Sequence, residues 1–256
     1  MIDPGRAGQR PWKKPLARVA FAISAALTPG TAFAGPPYET DDPEPTELGH
    51  LEVYAFSAME GSVGNRSARA GFDLNYGPVE DLQLTATLPL GYERASGSSR
   101  WSGGVSDVEV GAKYRFYKAE KQHRSVAIFP RVILPTARKG MGTGKTRLLL
   151  PVWGQQDLGK WSIFGGGGYE INPGEGQQDF WQAGMAVTHD LGRGVTVGAE
   201  LTHQGPDADD AEPSMSVGIG SIVHIRGPYS LLLSAGPTFT RSQSGFHAYS
   251  SLGIAL

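Results

Sequence analysis

The residues of this chain that could do chemistry are few and scattered. Gly140-Met-Gly-Thr-Gly-Lys145-Thr146 has the composition of a phosphate-binding loop. That loop needs a glycine five positions before Gly144, where Lys139 stands, and a helix after it whose N-terminus would hold the phosphate. Thr146-Arg-Leu-Leu-Leu-Pro151 comes next and reads as a strand, so the segment reads as a flexible loop. The run Gly165–Gly168 lacks GxGxxG spacing and reads as glycines on a strand, permitting close packing or a bend. His50, His123, His189, His203, His224 and His247 stand singly, with no HExxH and no i, i+2 pair, so no metal site is expected. Asp207, Asp209, Asp210 and Glu212 form an acidic loop without EF-hand spacing. His247 and Ser251 share one face of the last strand but have no third partner, and no GxSxG occurs. The chain has no cysteine, which removes thiolate metal sites, iron–sulfur clusters and cysteine nucleophiles together. Neither an enzyme nor a cofactor is expected.

The informative set is ten charged residues: Glu52, Arg69, Asp73, Glu109, Lys113, Arg115, Arg131, Arg147, Glu170 and Glu200. Each falls on the polar parity of an alternating segment. In residues 68–76, Ala68, Ala70, Phe72, Leu74 and Tyr76 oppose Arg69, Gly71, Asp73 and Asn75. Residues 82–92 and 108–116 repeat the pattern. Period two puts each set on one face of a strand, whereas an amphipathic helix would mix the parities. Twelve such segments occur, at roughly 50–60, 67–77, 82–93, 107–117, 125–136, 146–156, 161–172, 180–189, 195–204, 214–223, 229–237 and 246–256. The fifth, sixth and tenth are blurred by Phe129, Ile133, Leu149 and Ile222. Most are close to the ~9–11 residues that cross a bilayer at a tilt of about 45°.

Short connections alternate with longer ones, as periplasmic turns alternate with outer loops, and an even strand number leaves both ends of the barrel on the periplasmic side. Periodicity alone fits a soluble periplasmic barrel or sandwich as well as a membrane barrel. Strand length, and aromatics at the ends of the apolar register (Tyr76, Tyr92, Tyr114, Trp161, Tyr169, Trp181 and Tyr229), favour lipid. The expected fold is all-β: an antiparallel up-and-down transmembrane β-barrel of about 12 strands.

The N-terminus reads as a Sec-type signal peptide. Arg6, Arg10, Lys13, Lys14 and Arg18 precede an apolar stretch, Val19 to Leu27, that is too short to span a bilayer. Pro29-Gly30 and Ala32-Phe-Ala34 come after it, which places cleavage before Gly35. The expected organisation is residues 1–34 as signal peptide, 35–49 as an extended Pro- and acid-rich leader, and 50–256 as the barrel. A formal charge of −2 argues against a nucleic-acid partner. No stretch of 18 apolar residues exists, which excludes a helical membrane protein.

Several short motifs carry a resemblance. They include Asp41-Asp-Pro-Glu-Pro-Thr-Glu-Leu-Gly-His50, Asn75-Tyr-Gly-Pro78, Leu88-Pro-Leu90, Asp107-x-Glu-x-Gly-x-Lys-Tyr-Arg-Phe116, Leu150-Pro-x-Trp153, Gly165-Gly-Gly-Gly-Tyr169 and Gly198-Ala-Glu200. In order along nearly all of the chain after the signal, they resemble the transporter-like envelope family named for the MetA pathway of phenol degradation. The resemblance implies an outer-membrane barrel linked by name to aromatic-compound degradation, and it carries over no binding residues.

The expected function is an outer-membrane channel or porin-like transporter for small solutes, aromatic ones through that resemblance. The alternative is a non-transporting envelope barrel, structural, adhesin-like or hydrolytic. Expected partners are outer-membrane lipid, the solute, and the barrel-assembly machinery during biogenesis. The ten charges then line the lumen, either as a ladder of ion pairs or as a water-filled constriction. Twelve strands lie between a filled eight-stranded barrel and an open sixteen-stranded one. Inward Gly71, Gly111, Gly166, Gly168, Gly198, Gly218 and Gly220 leave space, which points to an open, narrow pore.

Overall fold

A computed structural model describes residues 37–62, 65–94, 98–139 and 141–256. The segment assigned as signal peptide lies outside them. The alternating segments form twelve antiparallel strands: β1 (Leu51–Ser62), β2 (Arg66–Val79), β3 (Leu82–Arg94), β4 (Ser102–Val105 and Val108–Ala119), β5 (Arg124–Ile128 and Arg131–Leu134), β6 (Arg147–Leu158), β7 (Trp161–Ile171), β8 (Phe180–Gly192), β9 (Val195–Gln204), β10 (Ser214–Arg226), β11 (Tyr229–Phe239) and β12 (Ser244–Ala255). Each pairs with its sequence neighbours, and β1 pairs with β12 from Glu52↔Ala255 to Ser62↔Gly245, which closes the barrel. Closure leaves no edge strand with free backbone groups, the condition for a sheet to stand in lipid.

Two strands are interrupted, and each break has a local cause. β4 leaves the ladder at Ser106-Asp107, where the Ser106 N–H donates to the Pro89 carbonyl at 3.0 Å. β5 breaks at Phe129-Pro130. Pro130 has no N–H to give, but its carbonyl accepts from Ala112 at 3.1 Å and the Phe129 N–H reaches the Pro151 carbonyl at 3.0 Å. The backbone therefore stays hydrogen-bonded through both irregularities.

One end of the barrel carries tight turns at 80–81, 120–123, 159–160, 193–194 and 227–228; the other carries the longer loops. Hairpins this short need a left-handed residue to match the strand twist. Asp81, His123, Gly159, Arg193, Gly194 and Gly227 supply it, with φ between 52° and 75°.

The apolar parity faces outward all round the barrel. Phe72, Leu84, Val110, Leu150, Leu201, Leu233 and Leu252 are exposed, Trp181 is 66% exposed and Ile219 is 70% exposed. A water-soluble protein rarely leaves so continuous an apolar surface uncovered, and on a closed barrel it is the surface that meets hydrocarbon. Phe129, Ile133 and Leu149, which blur the alternation in sequence, are instead buried inside.

Candidate functional site: the lumen and the segment that fills it

The residues before β1 do not trail away from the barrel. They run through its interior. Gly49, with φ of 79°, turns the chain from this segment into β1, and its N–H donates to the Gly77 carbonyl at 2.7 Å. From there the segment runs back through the lumen to Pro37. Pro37, Pro43 and Pro45 keep it extended and remove N–H groups that would otherwise need partners away from water.

Four sets of contacts hold it. Near the tight-turn end, the Thr46 N–H and hydroxyl donate to Gln83 Oε1 at 2.8 and 3.1 Å, and Gln83 is itself fixed by Asn75 and Thr85. In the middle, Lys113 Nζ lies 2.8 Å from Asp41 and 3.8 Å from Asp42, while Arg115 joins Glu44 and Asp81. Ser125 donates to the other oxygen of Glu44 at 2.9 Å. Further in, Glu200 Oε2 accepts the backbone N–H groups of Glu39 and Thr40 at 3.0 and 3.1 Å. Finally, Ser234 donates to the Pro37 carbonyl, and Thr202 donates to Glu39 Oε2 at 3.1 Å.

Two of the inward glycines, Gly198 and Gly220, leave room for this segment and not for an open pore, while Gly71, Gly166 and Gly168 lie against the neighbouring strand of the wall. A methyl group on Gly198 would stand 2.6 Å from Tyr38 Oη, and one on Gly220 would stand 2.8 Å from the same ring. Gly184 lies directly under Thr40. Tyr38 packs on Phe164 with ring centroids 6.2 Å apart, and with Ala186 they form a small apolar knot inside the barrel.

The ten charges sort into distinct settings. Lys113 and Arg115 pair with the N-terminal segment. Arg131 pairs with Glu109 at 3.3 Å, and Arg147 with Glu170 at 2.9 Å and Asp107 at 3.7 Å, as wall-to-wall bridges. Glu52 accepts from the Tyr54 hydroxyl at 3.0 Å and Asp73 from Thr87 at 2.9 Å. Glu200 holds backbone N–H groups. Arg69 has no ion pair or hydrogen bond among the described residues and faces a cavity. Phe129 sits between two of the bases, 5.2 Å from Lys113 Nζ and 4.9 Å from the Arg131 guanidinium, which explains an apolar side chain on the inner parity.

Sequence reasoning missed the inward aromatics Tyr54, Phe56, Trp153 and Tyr249, and it missed the place of the N-terminal segment. The available signal was charge complementarity: an acidic stretch with Glu39, Asp41, Asp42 and Glu44 precedes strands β4–β6, which concentrate Lys113, Arg115, Arg131 and Arg147. The other motifs do not assemble into sites. Residues 141–146 lead into β6 and not into a helix. His189 stacks on Trp161 and pairs across to Val197, away from His203. His247 Nδ1 bonds Thr238 at 3.2 Å, and Ser251 Oγ has no hydrogen-bond partner, so no Ser–His pair forms. Among the described residues, no group of His, Asp and Glu is arranged to hold a metal ion.

A closed twelve-stranded β-barrel with an apolar outer belt and an interior occupied by its own N-terminal segment is a membrane-spanning barrel. Solved structures share that fold. The COG4313 outer membrane channel from Pseudomonas putida F1 superimposes with a TM-score of 0.70 at 14% identity, covering 84% of this chain and 98% of that one. The translocator domain of the autotransporter NalP from Neisseria meningitidis gives 0.53 at 14% identity, covering 82% and 89%. The KdgM porin gives 0.52 at 8% identity, covering 77% and 97%. No family model matches the chain, and no curated protein matches it. The named family therefore stays a resemblance, and the likeness shown is one of fold.

Proposed function

We propose that this protein is an outer-membrane channel for small solutes, closed at rest by its own N-terminal segment and conducting when that segment leaves the lumen. The observation that carries the reading is how the segment is held. Apart from Tyr38 its grip is polar and ionic, made to Lys113, Arg115, Gln83 and Glu200, groups that water could solvate again if the segment moved. A permanent core would be apolar; a charged interface in a polar lumen is suited to exchange. Once it is vacated, the wall would present Arg115, Lys113 and Arg131 across from Glu200 and Glu52, a charged constriction of the kind that sorts solutes. The fold is common to channels and to a translocator domain, so it does not choose between transport and another envelope role. Folding through the barrel-assembly machinery and export by the signal at 1–34 belong to the same reading. The family resemblance adds aromatic solutes.

Liposome swelling tests the proposal. Vesicles holding the Lys113→Met, Arg115→Met double variant should swell in small uncharged solutes faster than vesicles holding the parent. Equal, near-zero swelling for both, with the barrels folded, would favour the non-transporting role.

A further inference from the structure

Beside Tyr38, on the side of the longer loops, lies a cavity of about 260 Å³. Its base is aromatic: Phe56 on β1 and Tyr249 on β12 present rings 6.3 Å apart at only 11° to one another. Its walls are acidic. Glu39, Glu60, Asp73 and Glu200 all line it, and none has a basic partner among the described residues. In each, one oxygen accepts from neutral donors: Thr202 on Glu39, Ser67 on Glu60, Thr87 on Asp73, and two backbone N–H groups on Glu200. The second oxygens of Glu39, Glu60 and Asp73 accept no hydrogen bond from the described residues. The bases do not balance this set. Arg131 is engaged by Glu109 and Phe129, which leaves Arg69 and the imidazole of His247 against four carboxylates.

Carboxylates gathered in a confined space without counter-charge are costly, and flat aromatic faces beside them attract cations further. From this we infer that the cavity is a binding site for an organic cation, an amine or quaternary ammonium carrying an apolar body, whose charge meets Asp73 and Glu60 while its body lies on Phe56 and Tyr249. An aromatic acid is the wrong sign for this lining. The inference rests on the channel reading for its biological sense, since Tyr38 and Glu39 of the docked segment help line the cavity and the site therefore names the class of solute held in the closed state. The site itself is tested without any flux.

The probes are benzyltrimethylammonium, benzyl alcohol and benzoate, titrated calorimetrically into the purified full-length barrel in detergent. The cation should bind at least tenfold more tightly than either of the others. Asp73→Asn combined with Glu60→Gln should weaken it tenfold or more, and Phe56→Leu should weaken it while leaving the barrel's resistance to unfolding in SDS unchanged. If the double variant does not fold, Arg69→Gln provides an independent check and should tighten the cation several-fold. Tighter binding of benzoate, lost in Arg69→Gln, would overturn the assignment, as would the absence of binding by all three. Cation binding by a barrel that never conducts would leave the site standing and remove the channel. Conduction without cation binding would do the reverse.

Discussion

Lys113, on the inner face of β4 and only 1% exposed, makes its closest ion pair with Asp41 of the N-terminal segment, at 2.8 Å, and not with any acid of the barrel wall. A fully buried ammonium must be paired. Here the partner comes from a piece of chain that is not part of the sheet, which couples the barrel's most buried base to the occupancy of its lumen.

Lys113→Met should therefore loosen the segment and not the barrel. Removing one partner of a buried pair costs roughly 3–5 kcal/mol when the other cannot escape. Asp41 and Asp42 can escape by undocking. Hydrogen exchange at the Thr40 and Thr46 amides should accelerate sharply while the strand amides of β7–β10 keep their protection, and Lys113→Arg should restore most of it. Uniform acceleration throughout the barrel would contradict the coupling.

A steric test reaches the same segment. A methyl group at Gly184 would collide first with the Thr40 hydroxyl. Gly184→Ala should weaken docking, and Thr40→Ala in the same chain should restore most of it, because the second change removes the hydroxyl that the methyl group meets while the Thr40 backbone N–H keeps its bond to Glu200. The readout is a double-mutant cycle on proteolysis of the segment. Additive effects would place Thr40 elsewhere.

Charge on the lipid face is a third measure. Leu84 is exposed on the outer parity of β3, opposite Tyr76 and near the tight-turn end, and Leu84→Arg should be destabilising in urea unfolding of a lipid-refolded barrel by less than the ~2–4 kcal/mol of an arginine at the midplane. Thr85, its inward neighbour, is no neutral reference. It is buried and bonded to Asn75 at 2.7 Å, so Arg there would also be costly. Ser67, at the wider cavity, is the better control.

The segment should also respond to pH. Asp42 is pushed up to about 7: burial raises it, Lys113 pulls it back, and Asp41 and Glu44 push it further. Between the ordinary aspartate value and about 7, the docked segment holds more protons than the free one. Docking is then strongest at low pH and weakens as pH rises through about 7. Bilayer conductance should be lower near pH 5.5 than near pH 8.5, and Asp42→Asn should flatten the dependence. The opposite slope, unaffected by Asp42→Asn, would contradict it.

Strand number, register and face were legible in the sequence because lipid and lumen impose opposite demands on alternate residues, and Leu84 beside Thr85 shows the contrast directly. The interruptions of β4 and β5 were not legible: Ser102–Val105 lies outside the alternating segment read at 107–117, and Phe129 and Ile133 blur the fifth segment without marking a break at Phe129-Pro130. Nor was the location of residues 37–48. A Pro-rich acidic stretch has no period, so pattern reading gives it no place; its partners are fixed by charge and by glycines such as Gly184 that lie far away along the chain. Phe129, Ile133 and Leu149 blurred their strands for the same reason: an occupied interior tolerates apolar side chains that a water-filled one would not.

Whether the N-terminal segment is the plug of a channel is decided by single-channel recording of the intact barrel against one lacking residues 37–48, with SDS heat-modifiability showing that both are folded. The parent should be closed or barely conducting, and the shortened barrel should show a steady conductance that is many times larger. Equal conductance in the two, or none in either, would refute the plugged channel.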